Sequence, residues 1–253
     1  MFNNPAIDIS IEVNFSPNQG PRAYGVDSPS AMPLIVGDFI GQVAKGGSCN
    51  CFEYKIIPHC HGTHTETVGH ILVDDVPVSN IVTGLYLQDA LLITVTPHQN
   101  CTENYQPQLT PNDLVISKKS LLEALGGKTP PKALVIRTLP NSDDKTCADY
   151  SKVTPAFFTN DAMELIAQYV EHLVTDIPSV DCAWDDGNLS NHRIYWNVAK
   201  GVTRLSKDVR THALITEMVY IPNEVEDGEY KLLTQVPRFL SDAAPSRLSL
   251  FKS

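Results

Sequence analysis

Pro58-His59-Cys60-His61-Gly62-Thr63-His64-Thr65-Glu66-Thr67-Val68-Gly69-His70 is the stretch on which the reading of this chain turns. It carries four of the eight histidines, with a cysteine and a carboxylate between them. Read as an extended strand, its side chains alternate between two faces. Cys60, Gly62, His64 and Glu66 then share one face, and His59, His61, Thr63 and Thr65 share the other. The first face offers a thiolate, an imidazole and a carboxylate, with a glycine leaving room between them. That donor set suits a divalent transition metal, and the thiolate tilts the choice toward zinc, with manganese as the alternative.

The rest of the chain is compatible with an enzyme acting on a small molecule. Its 253 residues are 42% hydrophobic and 19% charged, a folded composition with enough length for one large domain spanning 1–253. A net charge of -10 disfavours nucleic acid and anionic membrane as partners. No apolar segment is long enough to cross a bilayer, and Met1 to Pro5 shows no basic region followed by an apolar run, so no signal peptide and a cytoplasmic location are expected. Six scattered cysteines, among them the Cys49-Cys51 pair, are expected to be thiols rather than a disulfide framework.

Local patterning predicts a strand-rich chain. Ile7 to Phe15 alternates apolar and polar residues, as a half-buried strand does. A Pro/Gly/Asn-rich passage from Ser16 to Ser30 reads as a long loop able to close over an active site, its own or a neighbour's. Leu34 to Val43 and Cys51 to Pro58 read as strands joined through Gly46-Gly47. Short strands are expected at Ile71 to Val73 and Ile81 to Val82, and longer ones at Leu91 to Thr96 and Lys132 to Leu139. Further strands are expected at Val174 to Val180, Ala213 to Val219 and Tyr230 to Val236.

Ser117 to Leu125 reads as a helix capped by Ser117 or Ser120, with Ser120-to-Glu123 spaced as a capping box and Gly126-Gly127 ending it. Thr159 to Val174 reads as the longest helix, its stripe of Met163, Ile166, Ala167, Val170 and Leu173 facing the core and His172 facing solvent. A last helix is expected from Leu189 to Val202. Strands that do not alternate strictly with helices favour a mixed α/β fold with a curved or barrel-like sheet over a doubly wound one.

Gly62-Thr63-His64, an acid two residues on and a histidine four residues after that resemble the motif of the cyclase family, which includes bacterial kynurenine formamidases and isatin hydrolases. The family form is His-x-Gly-Thr-His-x-Asp-x-Pro-x-His. His64, Glu66 and His70 match its second histidine, its aspartate and its last histidine. Cys60 stands at the first histidine, glutamate replaces aspartate, and Thr67-Val68 replaces Ala-Pro. Downstream, Asp176-Ile-Pro-Ser179-Val-Asp181, Leu189-Ser-Asn-His192 and Ile215-Thr-Glu217 resemble later family segments.

The resemblance implies a swivelling β/β/α fold, one or two metals, and a homodimer or higher homo-oligomer. It implies Cys60, His64 and Glu66 as ligands of a zinc, with His59 or His61 as substitutes for Cys60. Glu66, His192 and Glu217 would serve a second metal, and His70 would be the general base and acid. The implied activity is metal-dependent hydrolysis of a non-peptide carbon–nitrogen bond, N-formylkynurenine being the leading substrate. The rivals are a cyclase or dehydratase acting on a ketone-bearing substrate, and a metal-binding oligomer without catalysis.

Overall fold

A computed structural model describes residues 6–252; the reading of Met1 to Pro5 lies outside the described residues. Nine strands form one mixed sheet: β1 (Ile7–Asp8), β2 (His64–Glu66), β3 (Tyr86–Val95), β4 (Ala133–Thr138), β5 (His172–Thr175), β6 (Leu214–Glu217), β7 (Gly228–Gln235), β8 (Ala243–Pro245) and β9 (Arg247–Lys252). Their spatial order is β1-β9-β7-β3-β4-β5-β6-β2-β8. The four central strands β3, β4, β5 and β6 run parallel, and antiparallel partners flank them on both sides. The sheet curls, as the barrel-like reading expected.

Both faces of the central strands are buried. Leu91, Ile93, Leu134, Ile136 and Leu173 point into a core closed by three helices, while Ala90, Leu92, Val135 and Val174 point into a second core with Leu232, Leu248 and Leu250. That two-sided burial is why these strands read as continuous apolar runs, and each fully buried aliphatic side chain contributes roughly 1.5–3 kcal/mol. Of the four α-helices among the described residues, α1 (Val78–Ile81) is a single turn, and α2 (Lys118–Leu125), α3 (Asn160–Ala167) and α4 (Ser190–Trp196) cover the first core.

Helix α2 has the expected limits. Ser117 is the cap and its box partner is Ser120 rather than Glu123: the Ser117 hydroxyl accepts from Ser120 N and the Ser120 hydroxyl from Ser117 N, each at 3.1 Å. Gly126 ends the helix in the left-handed region at φ 57°.

Helix α3 stops at Ala167, seven residues before the expected end. The amides of Glu171 and His172 both donate to Lys132 O, at 2.7 and 2.9 Å, and draw the chain into the sheet as β5. Arg210 reaches in from a distant loop to donate to Val170 O at 2.5 Å, and to Tyr195 O near the end of α4 at 2.6 Å. His172 is therefore buried rather than solvent-facing, held between Gln88 Oε1 at 2.9 Å and Thr216 Oγ1 at 2.8 Å. Helix α4 is likewise shorter than expected, ended by left-handed Asn197.

The expected hairpin near the N-terminus is reorganised. Ser30–Pro33 pairs with Phe52–Lys55, and Ile35–Val36 turns back on Phe39–Ile40 through Gly37. Pro58–Cys60 is a turn of 3-10 helix, with proline at its first position, and not the end of a strand. Residues expected as short strands at 71–73 and 81–82 instead fall at the end of a 3-10 turn (Val68–Ile71) and of α1.

Candidate metal centre

The tight turn at Pro58–Cys60 breaks the alternation that would align Cys60 with His64. Cys60 is buried, and burial together with the charge of Glu217 pushes its thiol up to about 11. The neighbouring His59 turns inward instead: Nδ1 lies 2.9 Å from Glu66 Oε2 and Nε2 lies 2.8 Å from Asp242 Oδ2. His61 is spent on structure, its Nδ1 accepting from Ile57 N at 2.9 Å and its Nε2 donating to Asp27 O at 2.8 Å. Gly62 turns the chain at φ 97°, where a Cβ would also meet Ile11 O at 3.3 Å, so glycine is required there. Thr63 then fastens the segment, its hydroxyl donating to Met218 O at 2.5 Å and accepting from Ile11 N at 2.8 Å.

Strand β2 places His64 and Glu66 two residues apart, on one side of the sheet. Its antiparallel pairing with β6 sets Glu217 opposite His64, with His64 Nε2 at 3.4 Å from Glu217 Oε2. The other carboxylate oxygen of Glu217 accepts from Val180 N at 2.9 Å. Helix α4 brings in His192. Asp181 accepts from His192 Nδ1 at 2.7 Å and from Asn191 N at 2.9 Å, which turns Nε2 toward Glu66 Oε1 at 3.2 Å. His70 rides the 3-10 turn capped by Thr67, its ring 4.2 Å from that of His59 and its Nδ1 3.5 Å from Asp242 Oδ2.

Among the described residues, three sets have ligand atoms within 4.8 Å of one another: His59, His64 and Glu66; His59, His70 and Asp242; Glu66, His70 and His192. The sequence-derived candidates His64, Glu66, His70 and His192 thus converge, and Glu217 sits against His64. Cys60 belongs to none of the three sets. His59 entered the sequence reading only as a substitute, and Asp242 did not enter it. Pro58 is the one local signal for His59, because proline at the start of a helical turn contradicts a continuing strand; Asp242 has no local signal.

The residues fit a cation. His64 Nε2 and Glu66 Oε1 are buried and make no hydrogen bond, the nearest opposite groups being Glu217 Oε2 at 3.4 Å and His192 Nε2 at 3.2 Å. An unsatisfied buried polar atom costs about 1–3 kcal/mol, and a bound cation satisfies a nitrogen lone pair and a carboxylate together. Without one, protons supply the positive charge. Burial opposes charge on His59, but hydrogen bonds to Asp242 and Glu66 overcome it and push its pKa up to about 10. His192 is likewise raised well above its ordinary value against burial, by the hydrogen bond to Asp181 and the charge of Glu66. Glu66 is held well below its ordinary value, burial being outweighed by His70, His192 and His59.

A cavity of about 240 Å³ opens on this cluster, bordered by Tyr24, His59, His70, Ser179, His192 and Glu217. Two larger cavities of about 530 Å³ lie elsewhere, one of them lined by Arg193, Asn197 and Asp208, and among the described residues neither holds a comparable set of ligand atoms.

Fold and cluster together define an α/β protein with a candidate metal centre near one edge of a curled sheet. The chain belongs to the cyclase family, whose profile, described as "Putative cyclase", matches residues 7–182. Isatin hydrolase A from Labrenzia aggregata, solved with benzyl benzoate, is 10% identical with a TM-score of 0.64 over 98% of this chain and 94% of that one. A structure described as a predicted metal-dependent hydrolase from Bacillus stearothermophilus is 13% identical with a TM-score of 0.59 over 98% of both chains. Isatin hydrolase A from Ralstonia solanacearum is 11% identical with a TM-score of 0.62 over 98% of this chain and 92% of that one. Identities this low establish the shared fold alone. No curated protein matches the sequence. Among the described residues, no helix is long and apolar enough to cross a membrane.

Proposed function

We propose that this chain is a metal-dependent hydrolase of a carbon–nitrogen amide bond outside peptides, with aryl formamides of the N-formylkynurenine type as the leading substrates. The observation that carries the reading is the pair of buried, unpartnered ligand atoms, His64 Nε2 and Glu66 Oε1, inside a histidine and carboxylate cluster that opens on a small cavity. His59, His64 and Glu66 would hold the cation, with His192 and Glu217 beside them; zinc is the leading identity and manganese the alternative. When bound, such a cation supplies a Lewis acid for a carbonyl and makes water acidic enough to ionise near neutral pH.

The chain's own residues supply the rest. Asp181 fixes the His192 ring so that Nε2 points at the centre. Asp242 sits between His59 and His70 and orients both. His70, at the cavity wall and partly exposed, takes the proton of the attacking water and returns one to the leaving amine. At about 240 Å³ the cavity suits a single small substrate rather than a peptide.

The test is formate release from N-formylkynurenine and from formanilide by protein loaded with zinc or with manganese. Turnover that disappears on chelation supports the reading. A product lighter than its substrate by one water would move the chain to the cyclase or dehydratase reading, and metal binding with no turnover of any amide would leave a non-catalytic metal protein.

We also propose a homo-oligomer. The ribbon of residues 30–57 is two-stranded, and such ribbons are marginal in water, yet it exposes Met32, Ile35, Val36, Val43 and Tyr54. Light scattering coupled to size exclusion should return a mass above that of one chain, and a single-chain mass refutes the oligomer.

A further inference from the structure

Tyr24 lies far from the metal stretch in sequence, within the Pro/Gly-rich passage, yet it borders the cavity beside His59, Glu66 and His192. Its backbone is left-handed at φ 56°, a conformation that costs a bulky L-residue energy and that collects at functional sites. The chain on either side is tied down. Arg22 N donates to Ala148 O and Tyr150 N donates to Arg22 O, each at 2.9 Å, and the Arg22 guanidinium pairs with Asp149 at 2.7 Å. Ala23 N donates to Cys60 O at 3.1 Å, and Asp27 O accepts from His61. The strained residue is thus stapled to the segment that carries His59 and His64.

Tyr24 keeps 40% of its surface exposed at the cavity mouth, and its hydroxyl comes near enough to Ser179, Glu217 and Glu66 for each to act on it. Ser179 Oγ accepts from Asp181 N at 3.1 Å, which holds that side chain at the cavity wall. The Tyr24 hydroxyl, at the same wall, can rotate its hydrogen toward an oxygen bound in the cavity. Burial, and next the charge of Glu217, raise the phenol above its ordinary pKa, so it stays a donor across the working range.

We propose that the Tyr24 hydroxyl is a catalytic hydrogen-bond donor of this site, gripping the carbonyl oxygen of the amide as negative charge develops on it. The inference deepens the amide-hydrolase reading and rests on it. A donor aimed at a developing oxyanion is worth about 10²–10³ in kcat, while the other cavity contacts still bind the ground state.

The experiment compares the parent with Tyr24→Phe, which keeps the ring and the backbone. Two readouts are taken: kcat and KM on formanilide with zinc-loaded protein, and the tyrosine absorption difference spectrum on adding formanilide to chelator-treated protein. The expected result is a kcat lowered about 100-fold with KM changed far less, equal zinc content, and a red-shifted tyrosine band in the parent that the variant lacks. Equal kcat in the two proteins, or the same difference band in both, overturns the proposal. A parent with no turnover sinks the hydrolase reading separately; the spectrum then decides Tyr24 alone, a band confined to the parent keeping the hydroxyl as the ligand donor and no such band overturning it.

Discussion

His172 offers a test of the fold that does not depend on a metal. It is fully buried in β5, with both ring nitrogens engaged by neutral partners, Gln88 and Thr216. Burial lowers its pKa from 6.5 to about 3, so the folded chain holds this imidazole neutral where the unfolded chain protonates it. The sign follows from linkage: the unfolded state binds more protons between pH 6.5 and 3, so the stability this group contributes is whole above pH 6.5 and declines as the pH falls through that window. At pH 5 the unfolded chain gains roughly 1.5 pKa units of protonation energy, about 2 kcal/mol, that the folded chain forgoes. Urea unfolding at pH 7 and pH 5, on chelator-treated parent and on His172→Gln, isolates the term, because glutamine keeps polar contacts but does not titrate. The variant is expected to be the less stable at pH 7, and the parent to lose about 2 kcal/mol more than the variant between pH 7 and pH 5. Equal losses in the two proteins would refute a neutral, buried His172.

The other predictions concern the site and its frame. Elemental analysis should find metal retained by Cys60→Ser and lost by His64→Ala and His59→Ala; loss in Cys60→Ser with retention in His59→Ala would put the thiolate back at the centre. In chelator-treated protein, raised His59 means stability that is present below pH 6.5 and is lost as the pH climbs toward about 10, a decline that thermal melts should show and that His59→Asn should flatten. Arg210→Gln removes charge-assisted hydrogen bonds to Val170 O and Tyr195 O and is expected to cost about 2–3 kcal/mol in urea unfolding; a cost below about 0.5 kcal/mol would deny Arg210 its part in holding the carbonyls past the end of α3 and in the last turn of α4.

Legibility in the sequence tracked how local each determinant is. Strand β4 could be read because Ala133 to Ile136 is buried on both sides and nothing remote decides its form. Helix α2 could be read because Ser117 and Gly126, the residues that start and stop it, lie within it or beside it. The end of α3 could not, because Val170 and Leu173 continue a helical stripe and are buried in either conformation; the choice is made by Lys132 and Arg210, distant in sequence. At the site, His64 and Glu66 were legible from spacing, whereas His192 and Glu217 were reached only through the family resemblance. The Cys60 and His59 positions turned on whether residues 58–60 continue as a strand, and one proline carries that information. Asp242 and Tyr24 arrive by tertiary contact, with no neighbouring motif to announce them.

The backbone adds its own argument about where this fold tolerates strain. Four of the left-handed residues that are not glycine are short and polar, Asn18, Asn100, Asp186 and Asn197, the residue types that bear this conformation most easily. The other three among the described residues are Tyr24, Leu189 and Met218, bulky side chains at φ 56°, 47° and 53°. Each adjoins a site element: Tyr24 borders the cavity, Leu189 is the residue from which α4 starts toward His192, and Met218 follows Glu217. Each such residue costs roughly 1–3 kcal/mol and persists only where its surroundings over-determine it. Here the restraints are visible: Met218 O accepts from Thr63 while its N–H donates to Ile177 O at 3.1 Å, and Leu189 N donates to Asp185 at 2.5 Å. If ligation of His192 and Glu217 adds to those restraints, zinc should slow hydrogen exchange at the Met218 and Leu189 amides more than at Asn197, whose left-handed turn has no ligand beside it. Equal slowing at all three amides, or none, would show that the strain is held by the fold alone and owes nothing to the centre.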